Sequence, residues 1–260
     1  MKIKVLASGS KGNCTFIECG NVKILIDAGI SYLQIKKTLE EDSINIQDID
    51  IVLVTHSHND HIKGLATLLN KTDITLCTHS TVYEELISKM NIPKFHLIDL
   101  EYMIDSIEIE AIPLSHDVPC YSYKITYDGK SLVYITDTGY LNKKYFSKIK
   151  NKDVYIIEAN HDETMLMDGP YPFILKQRII SDRGHLSNLT TGRILSKIIG
   201  PKTKYIFLAH ISEHNNTKEL ALEQVRRQLQ IENIEFNNFI ITDQYVSLDM
   251  VEIKWLELFV

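Results

Sequence analysis

The stretch IVLVTHSHNDH at residues 51–61 constrains this chain more than any other feature. A short apolar run, the mark of a buried strand, ends and releases His56, His58, Asp60 and His61 ahead of a helical pattern. His56 and His58 alternate, so an extended backbone turns both toward one cation. Asp60 and His61, one step on, are free to turn toward a second cation nearby. Imidazole and carboxylate suit zinc, manganese or iron, and no neighbouring thiolate calls for a softer metal. The segment reads as a metal site rather than a polar surface loop.

A centre of two ions needs more donors, and three later apolar runs end in candidates. His116 follows a strand in LSHDVP (114–119), Asp137 ends VYITD (133–137), and His210 ends YIFLAH (205–210). Singly, each reads as well as a turn or cap residue, and Asp137 in particular can bond backbone amides in its own turn. Their shared place after strands favours convergence, because such edges meet in space.

Strand-like runs fall at 3–6, 15–18, 23–26, 51–54, 74–77, 107–112, 122–126, 131–135, 154–157, 205–208 and 239–241. Residues 127–130, YDGK, form a hairpin turn, since Asp-Gly supplies the positive φ angles of a type I′ turn. Helical patterns cover 31–41, 61–69, 81–90, 143–149, 172–180, 190–199 and 218–230. Early strands follow one another as hairpins while helices cluster between later ones, which favours two packed sheets covered by helices over a Rossmann sheet. Gly9, Gly12 and Gly20 make no dinucleotide fingerprint, and no P-loop occurs. With 260 residues and neither repeat nor linker, one domain over 1–260 is expected.

At 44% hydrophobic and 24% charged residues, disordered, collagenous and coiled-coil classes are excluded. No apolar run reaches the length of a membrane span, and the first ten residues lack the apolar core of a signal peptide. Cys14, Cys19, Cys77 and Cys120 have no CxxC spacing and are expected as reduced thiols in the cytoplasm. The net charge of −6 argues against a uniformly basic, nucleic-acid-coating surface but leaves a local basic groove open. An enzyme or a small-molecule binder is the leading class.

With these motifs in this order, the chain resembles the metallo-β-lactamase superfamily over nearly its whole length. The resemblance implies an α+β, four-layer αββα fold of two packed mixed sheets flanked by helices. It implies one metal held by His56, His58 and His116, and a second held by Asp60, His61 and His210. Asp137 would bridge the two, and a water or hydroxide between them would be the nucleophile. Five further blocks narrow the branch: ASGSKGN (7–13), IIEANHD (156–162), GPYP (169–172), GHLSN (184–188) and LAHISEHNN (208–216). They are similar to the YycJ/WalJ group, small bacterial relatives of the superfamily's DNA and RNA hydrolases, which implies 5′-to-3′ exonuclease activity on double-stranded DNA. The last block departs from the group's pattern by a His insertion, and His214 is read as a surface residue. The apolar, Trp-bearing end at 251–260 matches no motif and is expected to pack against the domain or another subunit.

Phosphodiester hydrolysis needs a nucleophile, charge neutralisation and a proton for the departing oxygen. Two cations supply the first two, and a histidine apart from the ligands suits the third. His185, between a glycine and a helix start, fits that role, and Glu158 at a strand end can hold its imidazole. Phosphodiesterase branches with an equivalent pair use it this way. The plainer readings are a helix-cap neighbour for His185 and a structural ion-pair partner for Glu158. Asp60, His185 and Glu158 are thus the expected catalytic group. Lys176, Arg178 and Arg183 read equally as DNA-backbone contacts or a solvated face. His161 and Asp162 either extend the second metal shell or form a strand-end turn, with His79 and His96 structural. Ser8, Ser10 and Asn13 read as a plain hairpin turn in preference to a phosphate cradle. A thioesterase or lactone hydrolase would use the same metals without needing His185, and a non-catalytic regulator would take up metal without turnover. The expected partners are DNA and no membrane.

Overall fold

The computed structural model describes residues 1–253. Its first sheet begins as a meander of β1 (Lys2–Ala7), β2 (Cys14–Cys19) and β3 (Val22–Ile26), and continues in parallel with β4 (Ile51–Leu53), β5 (Thr75–Thr78) and β6 (Phe95–Leu97). The connections carry α1 (Tyr32–Glu40), α2 (Asn59–Ile62), α3 (Leu65–Lys71) and α4 (Ser80–Ile87). The second sheet repeats the plan. An antiparallel series of β7 (Glu101–Ile104), β8 (Ile107–Pro113), β9 (Tyr121–Tyr127) and β10 (Lys130–Ile135) leads into parallel β11 (Val154–Glu158), β12 (Tyr205–Ala209) and β13 (Phe239–Ile241). Its helices are α5 (Phe146–Ile149), α6 (Glu163–Asp168), α7 (Phe173–Ile180), α8 (Asn188–Ile198) and α9 (Lys218–Ile231). Finally β14 (Val251–Glu252) returns to the first sheet and pairs with β1.

Strand periodicity explains the layers. In β3 and β4, Ile24, Ile26, Ile51 and Leu53 face a core shared with Leu132, Tyr134, Val154 and Ile156 of the second sheet. The alternating residues Leu25 and Val52 turn outward onto the helices that carry Ile35, Leu39 and Leu68. Val133, Tyr155 and Ile157 do the same against Ile194, Leu195 and Val225. Strands buried on both faces read as unbroken apolar runs, as observed. The result is the expected four layers: helix, sheet, sheet, helix.

Several boundaries differ from the sequence reading. The helix expected over 61–69 starts at Asn59 and breaks at Gly64, whose backbone lies against the carbonyls of Ala28 and Ile30. The short edge strands β6 and β7 and the six-residue α6 carry too little periodicity to be read. At the C-terminus, pairing of Val251 and Glu252 with β1 and burial of Ile253 account for the first residues of the apolar end, and the rest of that segment lies outside the described residues. Asp128 and Gly129 both have positive φ between the paired Tyr127 and Lys130, as a type I′ turn demands.

Candidate metal centre

Pairing directions place the C-terminal ends of β1 and β3 on one edge of the first sheet with that of β4, and those of β8, β10, β11 and β12 together on the second. Every donor named from the sequence leaves one of these strand ends. Asp137 and His210 do so in the left-handed region (φ 60° and 51°), as does Asp27 after β3 (φ 60°). Such backbones cost about 1–3 kcal/mol each and persist where surrounding structure holds them.

Beyond β4, His58 occupies the N-cap of α2, and Asp60 and His61 lie in its first turn. His56 Nε2 lies 3.1 Å from His58 Nδ1, which lies 3.3 Å from His116 Nε2. Ligands at zinc–nitrogen distance on a tetrahedral ion stand about 3.4 Å apart, so this triangle has the size of one face of a metal site. Burial pushes the His56 and His116 imidazoles down, which keeps them in the neutral form that ligates.

The second cluster joins Asp60, His61, Asp137 and His210. His61 Nε2 is 3.1 Å from Asp137 Oδ2 and 3.5 Å from Asp60 Oδ2, while His210 Nε2 is 3.5 Å from both Asp60 Oδ2 and Asp137 Oδ1. His61 Nδ1 meets the buried Asp27 at 2.7 Å, and Asp27 also accepts from the Thr55 N–H. That pairing fixes the His61 tautomer and aims Nε2 at the carboxylates, an arrangement typical of metal-ligating histidines. Burial opposes charge on His61 and His210, yet the facing carboxylates outweigh it and push His61 up and His210 to about 10. Asp137 is driven down despite its burial, chiefly by His210 and His61. The cluster demands positive charge at its centre. Asp137 Oδ2 and His210 Nε2 are buried, and their close approaches lack hydrogen-bond geometry, so the donor set and these inward-facing atoms fit divalent cations.

His185 adjoins these ligands without joining the two sets. Its Nδ1 is 3.1 Å from Glu158 Oε2 and 3.7 Å from Asp137 Oδ1. Glu158 is fully buried, and its Oε1 accepts from the backbone N–H groups of Thr138 and Leu186. Burial works to raise the Glu158 carboxyl, but His185 above all brings it down to about 2. Glu158 therefore bonds both the backbone and the His185 imidazole.

Other residues named from the sequence divide cleanly. Arg178 faces the cleft and pairs with Asp117, whereas Lys176 donates to the Met167 carbonyl at 2.5 Å and Arg183 is exposed. Asp162 caps α6 through the Met165 N–H, and His161 lines a cavity beside His185, so neither falls in the metal clusters. His79 caps α4, His96 packs at a tilt on Tyr102 and His214 lies edge-on to Tyr171. Ser8, Ser10 and Asn13 lie in the turn of the β1–β2 hairpin, as the sequence reading expects, and the turn also reaches the metal cluster. The Ser8 hydroxyl accepts from the His210 N–H at 2.8 Å, Asn13 Nδ2 approaches His61 Nε2 at 3.0 Å, and Ser10 lines the cleft with His116 and His185. Three neighbours were missed. Asp27 and Thr55 hold His61, and Asp117 Oδ1 lies 3.3 Å from both His58 Nε2 and His116 Nε2. Asp27 has the same signal as Asp137, a carboxylate directly after an apolar strand.

The domain of the beta-lactamase superfamily matches residues 22–211. The chain belongs to this superfamily. Its members are metal-dependent, in keeping with the clusters above. Within the superfamily, the chain is 38% identical over 236 residues to exodeoxyribonuclease WalJ of Streptococcus pneumoniae serotype 2, covering 88% of each chain. It is also 38% identical over 240 residues to exodeoxyribonuclease YycJ of Bacillus anthracis, covering 88% of this chain and 89% of that one. Among solved structures, the metallo-beta-lactamase fold protein YhfI of Bacillus subtilis superposes with a TM-score of 0.69 at 18% identity, over 95% of this chain and 98% of that one. This likeness shows the superfamily fold.

Proposed function

We propose that the chain is a two-metal phosphodiesterase, a single domain over 1–260 that removes nucleotides from double-stranded DNA in the 5′-to-3′ direction. The 38% identity to two named exodeoxyribonucleases supports the substrate class. The observation that carries the chemistry is the His185–Glu158 pair set against Asp137, a proton carrier next to the ligands but outside both sets. A thioesterase or lactone hydrolase has no use for it.

His56, His58 and His116 would hold one ion, and Asp60, His61, His210 and Asp137 would hold another. Zinc, manganese and iron all suit these donors. Two divalent cations held there would supply an acidified water and charge neutralisation for the phosphate oxygens. The protein's own groups do the rest. Asp27 orients His61, Ser8 and Asn13 support the ligand loops, and Glu158 holds His185 Nδ1 so that the opposite ring nitrogen can give its proton to the leaving 3′-oxygen. Arg178, on the cleft wall, is placed to meet a backbone phosphate once it parts from Asp117. Among the described residues no helix is long and apolar enough to cross a membrane. Four unpaired, buried cysteines suit a reducing compartment, and we assign the chain to the cytoplasm.

Digestion of end-labelled duplex, single-stranded DNA and RNA with manganese or zinc tests this reading. Mononucleotides released from the 5′ label of the duplex, and stopped by a chelator, are the expected result. An intact duplex alongside turnover of a thioester or lactone would overturn it.

A further inference from the structure

His185 stands between two spaces. On one side is the cleft lined by Ser10, His116 and Arg178; on the other is a separate cavity of about 270 Å³ reaching to α6 and α8. That volume lies just below the usual range for drug-sized ligands and suits one nucleobase rather than a stretch of strand. Its lining is mixed as a base requires. Met167 and Ile180 supply apolar surface, and Ser187, Thr190, Glu163 and His161 supply polar groups. The Ser187 hydroxyl donates to Glu163 at 2.8 Å. His161 is only 2% exposed, yet its Nδ1 has no hydrogen-bond partner. An unpaired buried nitrogen costs about 1–3 kcal/mol and asks for an explanation. Burial brings this imidazole down to about 4, so at neutral pH the ring has one donor and one acceptor nitrogen.

The position of the cavity identifies its occupant, given the phosphodiesterase reading above. In 5′-to-3′ cleavage a water gives one proton to solvent as its oxygen bonds to phosphorus, the P–O3′ bond breaks, and His185 gives its proton to the departing 3′-oxygen and regains one from solvent. The nucleoside that owns this oxygen must lie against His185, where the cavity opens. We propose that the cavity formed by Gly139, His161, Met167, Ile180, Ser187 and Thr190 is a subsite for the base of the released 5′-terminal nucleotide. Met167 and Ile180 pack its faces, and the polar wall meets its edge.

The test compares a duplex with an ordinary 5′-terminal nucleotide and one whose 5′-terminal base is replaced by an abasic tetrahydrofuran. The enzyme should release the base-bearing nucleotide at least about tenfold faster, the scale of one lost apolar contact set. In His161→Leu, and separately in Met167→Trp at the half-exposed rim, that ratio should fall to within about twofold. A ratio unchanged in both variants would overturn the subsite. Calorimetry separates this outcome from failure of the exonuclease reading. Deoxyadenosine 5′-monophosphate should bind about tenfold tighter than deoxyribose 5-phosphate to the unaltered protein, and equally to the variants. Equal affinities in the unaltered protein would overturn the proposal even if DNA is digested. Tenfold selectivity lost in the variants would sustain the base subsite even if DNA is not.

Discussion

At the scale of single residues, the proposed mechanism places ligand work and proton work on different side chains. His185→Ala removes no member of either ligand set, so metal content should hold while DNA turnover falls about 10²–10⁴-fold, the usual contribution of general acid catalysis. With a nitrophenolate leaving group, which needs no proton, the loss should be far smaller. Equal losses on both substrates would make His185 a binding residue. Glu158→Gln keeps an oxygen for the Thr138 and Leu186 N–H groups and should show a smaller defect of the same kind with little change in melting temperature. Glu158→Ala strands those two buried donors and should lower stability as well, by about 1–3 kcal/mol for each. Most of these residues were legible because their spacing is local or repeats a strand-end pattern. His56, His58, Asp60 and His61 sit in one short run, and Asp137 and His210 each close an apolar stretch. Asp27 closes an apolar stretch as Asp137 does, and Asp117 adjoins a histidine, but neither belongs to the ligand set that the family resemblance implies, and what they face is visible only in space.

At the scale of elements, the ligand loops depend on close backbone packing. Gly29 N–H bonds to the Asn13 carbonyl, the Asn13 N–H to the Asp60 carbonyl, and a Cβ on Gly29 would overlap the Asp60 carbonyl. Gly29→Ala should therefore force α2 away from the 8–13 turn. An overpacking cost of about 1–3 kcal/mol is expected, with a fall in melting temperature of about 2–4 °C per kcal/mol. Loss of metal should accompany it, read by elemental analysis of the folded protein; full metal content would show that α2 tolerates the shift. Alternation and helical periodicity were enough to find the long elements, from β3 to α9. They failed on β6, whose three residues are all exposed, and on β7, because edge strands bury too little to imprint a pattern. The break at Gly64 was hidden for another reason, since it arises from contact with a segment more than thirty residues earlier in the chain.

At the scale of the whole molecule, two sheets of one plan share an inner core and bring their strand ends to a common centre. The two packed sheets were readable because early strands follow one another as hairpins while helices fall between later ones, and the four-layer α+β class came with the family resemblance. The return of β14 to β1 was not, as two residues of pairing carry no signal. Cys14, Cys19, Cys77 and Cys120 are spread through this fold, all buried and all free. Burial pushes the thiols up, Cys19 and Cys77 to about 12, so a thiol reagent should label almost none in the native protein and four per chain after denaturation. Rapid native labelling would contradict the packing described. The central claim is that the converging strand ends form a centre for two ions that hydrolyses DNA. Titration of metal-stripped protein with manganese, following release of the 5′ label from a duplex, tests it most directly. Release should be absent without metal and reach its plateau at two ions per chain; a plateau at one ion, or release independent of metal, would contradict the account.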